Sequence, residues 1–309
     1  MNILMTGASG FIGQHLLQTL FNSELFDSMK VVAVTRNQHK MQKKFSQYPD
    51  LHWVESLDTF THLDEFDAVI NLAGEPIADK RWSQSQKSMI SHSRWDVTER
   101  LASLIQVSAL APSVFISGSA VGFYGDCGEH SIDEAYLDGK ETPKECFTHT
   151  VCSEWEARAL KAQSEQTRVC LLRTGIVLGQ GGGALNKMLL PYRMGLGGPI
   201  GDGKQYMPWI HMSDMVSAIY FLLTEPAAQG AYNCTAPNPV SNRVFSQTLA
   251  KVLHRPHVLF TPKWVLSLAM GEGASLLFDS INARPKQLLD LGFEFKFKEL
   301  EDALNASIS

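Results

Sequence analysis

The sequence has little of what marks metal-binding, disulfide-rich or membrane proteins. Its five cysteines are an odd number without a CxxC spacing, and its ten histidines form no HxH or HExxH pattern. We therefore expect no metal site and no disulfide framework. The longest apolar runs, such as AIYFLL at 218–223, fall far short of the roughly 20 residues that span a bilayer. A membrane partner is not expected.

Basic residues are too few for a nucleic-acid partner. The 27 Lys and Arg residues face 32 Asp and Glu residues, for a net charge of -5, which leaves no basic excess to neutralise phosphates. The first residues, MNILMTGASG, show no basic and apolar leader, so a cytoplasmic location is expected. With 309 residues, 44% of them hydrophobic, the composition is typical of a globular protein of about two domains.

Strand-like runs alternate with helical stretches as far as residue 179. An apolar run at 2–6 precedes a glycine turn and a helical stretch, and a second strand is predicted at 30–35. Further strands are predicted at 67–74, 113–119 and 168–179, and helices at 84–110 and 146–163. This order predicts right-handed βαβ units and a doubly wound parallel sheet.

The first turn, TGASGFIG, places Gly7, Gly10 and Gly13 between a strand and a helix. In such a turn Gly7 permits a sharp bend, Gly10 permits close approach to a pyrophosphate, and Gly13 permits close helix packing. The helix N-terminus then faces the anion. The turn predicts a Rossmann dinucleotide-binding domain; the alternative is a purely structural glycine turn.

After residue 179 the regular alternation ends in Gly-, Pro- and Asp-rich sequence. Residues 206–211 are strand-like and 213–223 are helical, and we expect both to return to the sheet domain. We predict an α/β fold in which residues 1–178 and 206–234 form the NADP-binding Rossmann domain. Residues 179–205 and 235–309 are predicted to form a smaller, mainly helical C-terminal substrate-binding domain.

The type of cofactor depends on the end of the second strand. An acid there bonds the ribose 2′-hydroxyl of NAD, whereas an arginine accommodates the 2′-phosphate of NADP. Arg36 stands at that end, and no Asp or Glu occurs between residues 30 and 48. We therefore predict NADP(H). The alternative is that Arg36 is a solvated surface charge.

These motifs resemble the short-chain dehydrogenase/reductase superfamily, in its extended NAD(P)-dependent epimerase/dehydratase branch. The similarity rests on TGASGFIG, on NLAG at 71–74, on SGSAVGFYG at 117–125 and on PWIHMSDMVSAI at 208–219. The segment ARPKQLLDLGFEFKFKELEDAL is similar to the extra C-terminal domain of the "epimerase family" group. The resemblance implies contacts to the diphosphate from Gly7, Ser9, Gly10, Phe11, Ile12 and Gly13, to the 2′-phosphate from Arg36, to the riboses from Leu72, Ala73 and Gly74, and near the nicotinamide from Ser117, Thr174, Ile176 and Val177.

The catalytic pattern of that superfamily is broken in this chain. Extended members carry YxxxKxxxE on one helix, where the Tyr transfers the substrate proton and the Lys lowers the pKa of the Tyr. Glu156 matches the final Glu, which puts Thr148 at the Tyr position and Cys152 at the Lys position. Tyr136 and Lys140 satisfy YxxxK literally, but Asp-Gly between them and a nearby proline favour a loop.

Two residues at and after the end of the strand predicted at 113–119 are the predicted replacements. Ser119 matches the catalytic Ser position and Tyr124 follows in the loop that borders the substrate, so we predict that they bind the substrate oxygen and donate the proton. The alternative for Tyr124 is a turn tyrosine with a buried ring and a hydroxyl bonded to backbone. Cys152 is interpreted as a small core residue rather than a reactive thiol.

A second departure is Arg94, which replaces an Asn of extended members. A buried arginine needs an anionic partner, so Arg94 is predicted to meet a substrate carboxylate or phosphate, or to pair with Glu75. Further pocket candidates are Arg81, Trp82, Trp209, His211 and Arg284. The resemblance implies the last two, because extended members place a WIH-like segment and a C-terminal arginine near the substrate. A satisfied core histidine is the alternative for His211.

Together these features predict an NADP(H)-dependent oxidoreductase or epimerase that acts on an unidentified small polar molecule by hydride transfer at the nicotinamide. A sugar-nucleotide substrate follows from analogy alone. The alternatives are a non-catalytic NADP(H)-binding sensor or regulator, and an interaction protein without a cofactor. The sequence does not set the oligomeric state, and a homodimer is the assembly under consideration.

Overall fold

The computed structural model describes residues 1–22, 29–137 and 146–308. The strands are β1 (Asn2–Thr6), β2 (Lys30–Val34), β3 (Leu51–Val54), β4 (Ala68–Asn71), β5 (Val114–Ala120), β6 (Ser131–Ile132), β7 (Arg168–Thr174), β8 (Ile176–Leu178), β9 (Tyr206–Met207), β10 (Trp209–His211), β11 (Gly230–Cys234), β12 (Val240–Ser241) and β13 (Asn282–Ala283). The helices are α1 (Phe11–Asn22), α2 (Gln38–Lys44), α3 (Gln84–Gln106), α4 (Phe147–Leu160), α5 (Gly183–Arg193), α6 (Met212–Thr224), α7 (Asn242–Val252), α8 (Lys263–Met270), α9 (Ser275–Phe278), α10 (Lys286–Asp290) and α11 (Leu300–Ile308).

Seven parallel strands form the central sheet, in the order β11-β7-β5-β4-β1-β2-β3. Almost every residue of β1, β4 and β5 is buried, because helices cover both faces of the sheet. From β1 the chain builds outward through β2 and β3, then returns to the other side of β1 with β4. The predicted doubly wound parallel sheet is confirmed, and its switch point lies between β1 and β4.

Apolar helix faces cover the sheet on both sides. On one side α1 lies beside α6, and Leu16, Leu17 and Leu20 are buried in one cluster with side chains of β1 and β2. On the other side α3 and α4 pack together, and Leu101 and Phe115 belong to a second cluster there. None of the helices in the described ranges is long and apolar enough to cross a membrane.

The strand predicted at 168–179 is two strands, because the chain leaves the sheet at Gly175. The Gly175 amide donates to the Cys234 carbonyl at 3.1 Å and the Ile176 amide donates to the Pro208 carbonyl at 2.7 Å. A Cβ at Gly175 would lie 2.6 Å from the Pro208 oxygen. Residues 206–211 do not join the central sheet: β10 pairs with β8 and β9 with β12, whereas α6 does pack against it.

The C-terminal part is mainly helical, as expected. Helices α7 and α11 pack around a third apolar cluster that contains Trp209 and Phe245. Asp214 in α6 holds the segment before α11 in place, because its carboxylate accepts the amides of Lys296 and Phe297 at 2.9 Å each. The division into a cofactor domain and a substrate domain at the boundaries given above stays a prediction.

Candidate cofactor and active site

The glycine turn after β1 is tight enough to require glycine at two positions. Gly7 has a φ of +71°, and a Cβ there would lie 2.3 Å from the carbonyl carbon of Leu72. A Cβ at Gly13 would lie 2.3 Å from the Gly7 oxygen. The Gly10 amide donates to that same Gly7 oxygen at 2.9 Å. The turn thus brings β1, α1 and the segment after β4 into backbone contact.

The N-terminus of α1 faces the open end of this turn. Ser9 and Gly10 are exposed, and the first amides of a helix, here those of Phe11 and Ile12, have no acceptor within it. The first turn of α1 contains no acidic residue. These open amides, together with the positive end of the helix dipole, fit the diphosphate of a dinucleotide.

A glycine-rich segment at 179–183 gives the ring of Phe11 its space. A Cβ at Gly182 would lie 2.6 Å from the Phe11 ring, and one at Gly183 would lie 2.8 Å from it. From the sequence, this segment is predicted only as the end of the regular alternation of strands and helices. Its run of glycines is the signal that could have indicated this contact, because small residues are needed where another segment inserts an aromatic ring.

Arg36 is exposed just past the end of β2. It has no hydrogen bond or ion pair to any described residue. Asn37, next in the chain, caps α2 by accepting the Lys40 amide at 3.2 Å. The guanidinium therefore remains available to a ligand at the edge of the glycine turn.

Buried polar side chains fix the segment of Leu72, Ala73 and Gly74 after β4. Thr6 donates to the Asn71 side-chain oxygen at 2.6 Å, and the Asn71 amide nitrogen donates to Thr98 at 2.7 Å. The Ala73 amide also donates to the Asn71 oxygen, at 3.3 Å. Asn71 and Thr98 were not among the predicted site residues, although they hold β1, β4 and α3 together at the switch point.

Ser119 and Tyr124 belong to a buried network that joins five elements. Ser119 donates to Glu156 at 2.6 Å, and Arg173 donates to both Glu156 carboxylate oxygens at 2.9 Å. Arg173 also donates to the Tyr124 hydroxyl at 3.0 Å, and that hydroxyl donates to Asn233 at 2.7 Å. Burial works to lower the pKa of Arg173, but its hydrogen bonds and attraction to Glu156 raise that pKa above its ordinary value.

The position of Tyr124 fits the alternative of a turn tyrosine with a bonded hydroxyl. The residue is 1% exposed, in a 3-10 turn at Val121–Tyr124, and burial raises the pKa of its hydroxyl well above the usual value. Its partners are the side chains of Asn233 and Arg173 rather than backbone. Proton donation to a substrate would require the hydroxyl to break its bond to Asn233, whereas the bond that it accepts from Arg173 could remain. The bond to Asn233 argues against the predicted donor role.

The helix positions of the missing Tyr-Lys pair hold small, uncharged residues. Thr148 and Cys152 are both buried in α4. Burial raises the pKa of the Cys152 thiol to about 12, so the thiol stays protonated near neutral pH and fits a core residue. Of the literal pair, Tyr136 packs edge-on against Tyr124, and Lys140 lies outside the described residues.

Three predicted pocket residues are engaged elsewhere. Trp209 is 0% exposed inside the C-terminal cluster, so it lines no open pocket. His211 caps α6 by accepting the Ser213 amide at 3.1 Å, and burial lowers the pKa of its ring to about 4, which fits a satisfied core histidine. Arg284 is exposed and donates to Ser131 at 3.0 Å.

Glu75 and Arg94 lie close to the cofactor segment but do not form an ion pair. The Glu75 carboxylate pairs with Lys80 at 3.5 Å, and its amide donates to Ser93 at 2.9 Å. Arg94 packs against Gly74. No three His, Cys, Asp or Glu side chains gather into a metal-binding group in the part of the chain that the structure describes.

Comparison with known proteins identifies the family. The NAD dependent epimerase/dehydratase family model matches residues 3–235, and a domain of unknown function, DUF1731, matches residues 261–307. An Arabidopsis thaliana protein described as a chloroplastic homolog of epimerase family protein SDR39U1 is 40% identical over 99% of this chain and 86% of its own length. Epimerase family protein YfhF of Bacillus subtilis is 36% identical over 100% of this chain and 98% of its own length.

The fold is shared with a solved relative. The crystal structure of human epimerase family protein SDR39U1 with NADPH superposes with a TM-score of 0.87, at 31% identity, covering 99% of each chain. This agrees with the family resemblance and with the nicotinamide cofactor expected from the sequence. Because the family model spans most of the chain, the protein belongs to the NAD dependent epimerase/dehydratase family.

Proposed function

We propose that this protein is an NADP(H)-dependent oxidoreductase or epimerase-like enzyme that acts on a small polar substrate. The observation that carries the proposal is that two features occur together: open α1 amides at the glycine turn, and an exposed Arg36 at the end of the next strand that has no partner among the described residues. The first fits a diphosphate and the second a 2′-phosphate. The presence of NADPH in the human relative supports the same cofactor.

The chemistry of the chain's own residues is then restricted to the carboxyl ends of β4 and β5. A bound nicotinamide supplies or accepts hydride, and the carboxyl ends of β4 and β5 bring Gly74 and Ser119 to the same edge of the sheet. Ser119 donates its hydroxyl hydrogen bond to Glu156, so the lone pairs of its oxygen remain to accept a hydrogen bond from a substrate hydroxyl. Tyr124 acts as a positioning residue that holds Arg173, and the proton partner is a water molecule.

A non-catalytic NADP(H) sensor is the second candidate. The observation that favours it is the occupation of the Tyr and Lys positions by Thr148 and Cys152, both uncharged and buried. A sensor would keep the nucleotide site and would not oxidise NADPH with any carbonyl compound. The two candidates share the cofactor site, so its test precedes any substrate screen.

Calorimetric titration with NADPH and NADH tests the cofactor site. We expect NADPH to bind about 10- to 100-fold more tightly than NADH, because a charge-assisted arginine contact contributes about 1.5–3 kcal/mol. Arg36→Ala should bring the two affinities close together. The control is Lys30→Ala, which removes the same charge at the opposite end of β2 and should leave the preference intact. If wild type binds neither nucleotide, both candidates fail.

A further inference from the structure

Arg94 in α3 carries a guanidinium that the chain only partly satisfies. Its Nη1 donates to the Ile90 carbonyl at 2.9 Å, with a longer contact to Ser93 at 3.5 Å. Its Nε and Nη2 make no hydrogen bond to any described residue. Glu75, the carboxylate expected to neutralise it, is paired with Lys80 instead.

One face of the Arg94 guanidinium lies against the cofactor segment. A Cβ on the exposed Gly74 would come within 2.9 Å of the Arg94 Cζ, 3.1 Å of Nη2 and 3.2 Å of Nε. The guanidinium carbon also lies 5.3 Å from the ring centroid of Trp155, whose ring packs against Gly118 of β5. Arg94 therefore stands between the segment after β4 and the wall that carries Ser119.

Arg94 places a positive charge near the part of α4 that lacks the lysine of the family pattern. Cys152, at the position of the missing lysine, is an electrostatic neighbour of Arg94. Burial lowers the pKa of Arg94 from its ordinary value, and attraction to the Glu75 carboxylate only partly offsets this effect. A half-buried cation without a carboxylate contact is unfavourable unless a ligand completes it.

The chemistry of the open donors identifies the ligand. Nε and Nη2 form one edge of the guanidinium, and a planar pair of N–H donors matches the two oxygens of a carboxylate or phosphate in parallel hydrogen bonds. A guanidinium stacked on an aromatic ring keeps its plane fixed, so less rotational freedom is lost when the anion binds. A neutral polyol offers neither the charge nor the paired oxygens.

We propose that Arg94 binds an oxyanion of the substrate, a carboxylate or phosphate group, through Nε and Nη2, so that the substrate of this cleft is a small acid. The inference rests on the proposed function, since the same cleft holds the cofactor. Arg94 thus fixes the substrate next to Ser119 and supplies the positive charge that Cys152 does not.

The test titrates malonate and, separately, inorganic phosphate into the protein saturated with NADPH, with neutral malonamide as the third probe. Binding is followed by calorimetry and by the tryptophan fluorescence that Trp155→Phe should reduce. We expect at least one anion to bind and malonamide not to bind. The stronger of the two anions identifies the group as carboxylate or phosphate.

Variants locate the anion. Arg94→Gln should weaken binding of the anion at least tenfold, and Arg94→Lys should retain part of the affinity, because it keeps the charge without the paired donors. Gly74→Ala keeps Arg94 and places a methyl group against it, so it should also weaken binding and serves if Arg94→Gln folds poorly. Arg100→Gln removes the same charge from the same helix and should have no effect.

The outcomes separate this inference from the proposed function. If NADPH binds to wild type but neither anion does, or if Arg94→Gln and Gly74→Ala both bind the anion as wild type does, Arg94 is not the anion site. If malonamide binds as tightly as malonate, charge recognition is overturned as well. Failure of NADPH to bind would overturn the proposed function itself.

Discussion

The site has two sides, the cofactor side at the glycine turn and a buried wall formed by the network of Ser119, Tyr124, Glu156, Arg173 and Asn233, and the two use their polar groups differently. On the cofactor side, the first amides of α1 and the side chain of Arg36 have no partners among the described residues. On the opposite wall, Ser119, Tyr124 and Arg173 are all bonded to one another or to Glu156. The polar groups of the cofactor side are thus open, without a partner among the described residues, whereas those of the buried wall are closed, each hydrogen-bonded within the chain.

That difference gives each side its own response to mutation. Changes on the closed wall should act on stability, because a buried partner is left unsatisfied when its mate is removed. Changes on the open side should act on ligand affinity, because few contacts within the chain are lost. Arg94 is the exception: it lies between the two sides, next to Gly74, and keeps two open donors.

Arg173→Met should have the largest effect on stability. It leaves the Glu156 carboxylate buried without its cation, and breaking such a pair costs about 3–5 kcal/mol. Urea unfolding should show the loss, while the double variant Arg173→Met with Glu156→Gln should recover much of it, since no charge is then left unpaired. A loss below about 1 kcal/mol for the single variant would show that the wall is not closed.

Gly7→Ala should disturb the cofactor side by straining the backbone, because it changes no charge. A left-handed φ costs a non-glycine residue about 1–2 kcal/mol, and the added Cβ would also meet the Leu72 backbone at 2.3 Å. We expect a loss of more than about 2 kcal/mol together with loss of NADPH binding in calorimetry.

Gly128→Ala separates the two causes. Gly128 has a φ of +62°, and a Cβ there would meet nothing within 4 Å. It should therefore show only the cost of the backbone conformation, with NADPH affinity as in wild type. Equal stability losses for the two variants would mean that the contact between the turn and Leu72 contributes nothing.

Tyr124→Phe distinguishes a framework hydroxyl from a proton donor. Removing the hydroxyl leaves one Arg173 N–H and the Asn233 oxygen without a partner, so stability should fall by about 1–3 kcal/mol. The affinity for NADPH should not change. A variant as stable as wild type that had lost turnover would instead identify Tyr124 as the donor, and its hydroxyl would then belong to the reacting groups rather than to the framework.

The sequence predicts the parts of this molecule that follow from local patterns. The glycine turn, the buried strands and the long helices each have a signal within about 20 residues, since periodicity and turn chemistry act locally. The helix predicted at 84–110 is found at Gln84–Gln106. The short strand β3 and the edge strand β11 were not predicted, because runs of only four or five residues are too short to give a clear pattern.

The closed network could not be predicted, because its members are far apart in the chain. Tyr124 and Asn233 are separated by 109 positions, and no local rule states that a turn tyrosine meets the last strand of the sheet. The same holds for the pairing of β8 with β10. What the sequence did indicate was the absence of the Tyr-Lys pair, and the structure shows that Glu156 and Arg173 form an ion pair beside that gap.

His211 provides the smallest effect, and it depends on pH. Burial lowers the pKa of its ring in the folded state to about 4, against about 6.5 in an unfolded chain. The unfolded state therefore binds the proton more tightly, so this contribution to stability is present above pH 6.5 and is lost as the pH falls toward 4. Partial exposure limits the loss to about 1–2 kcal/mol.

The variant His211→Asn keeps a side chain able to cap α6. Between pH 7 and pH 4.5 it should lose less free energy of unfolding than wild type does. If the variant and wild type lose the same free energy of unfolding in acid, the ring is already open to water, and the buried part of the molecule ends before the start of α6.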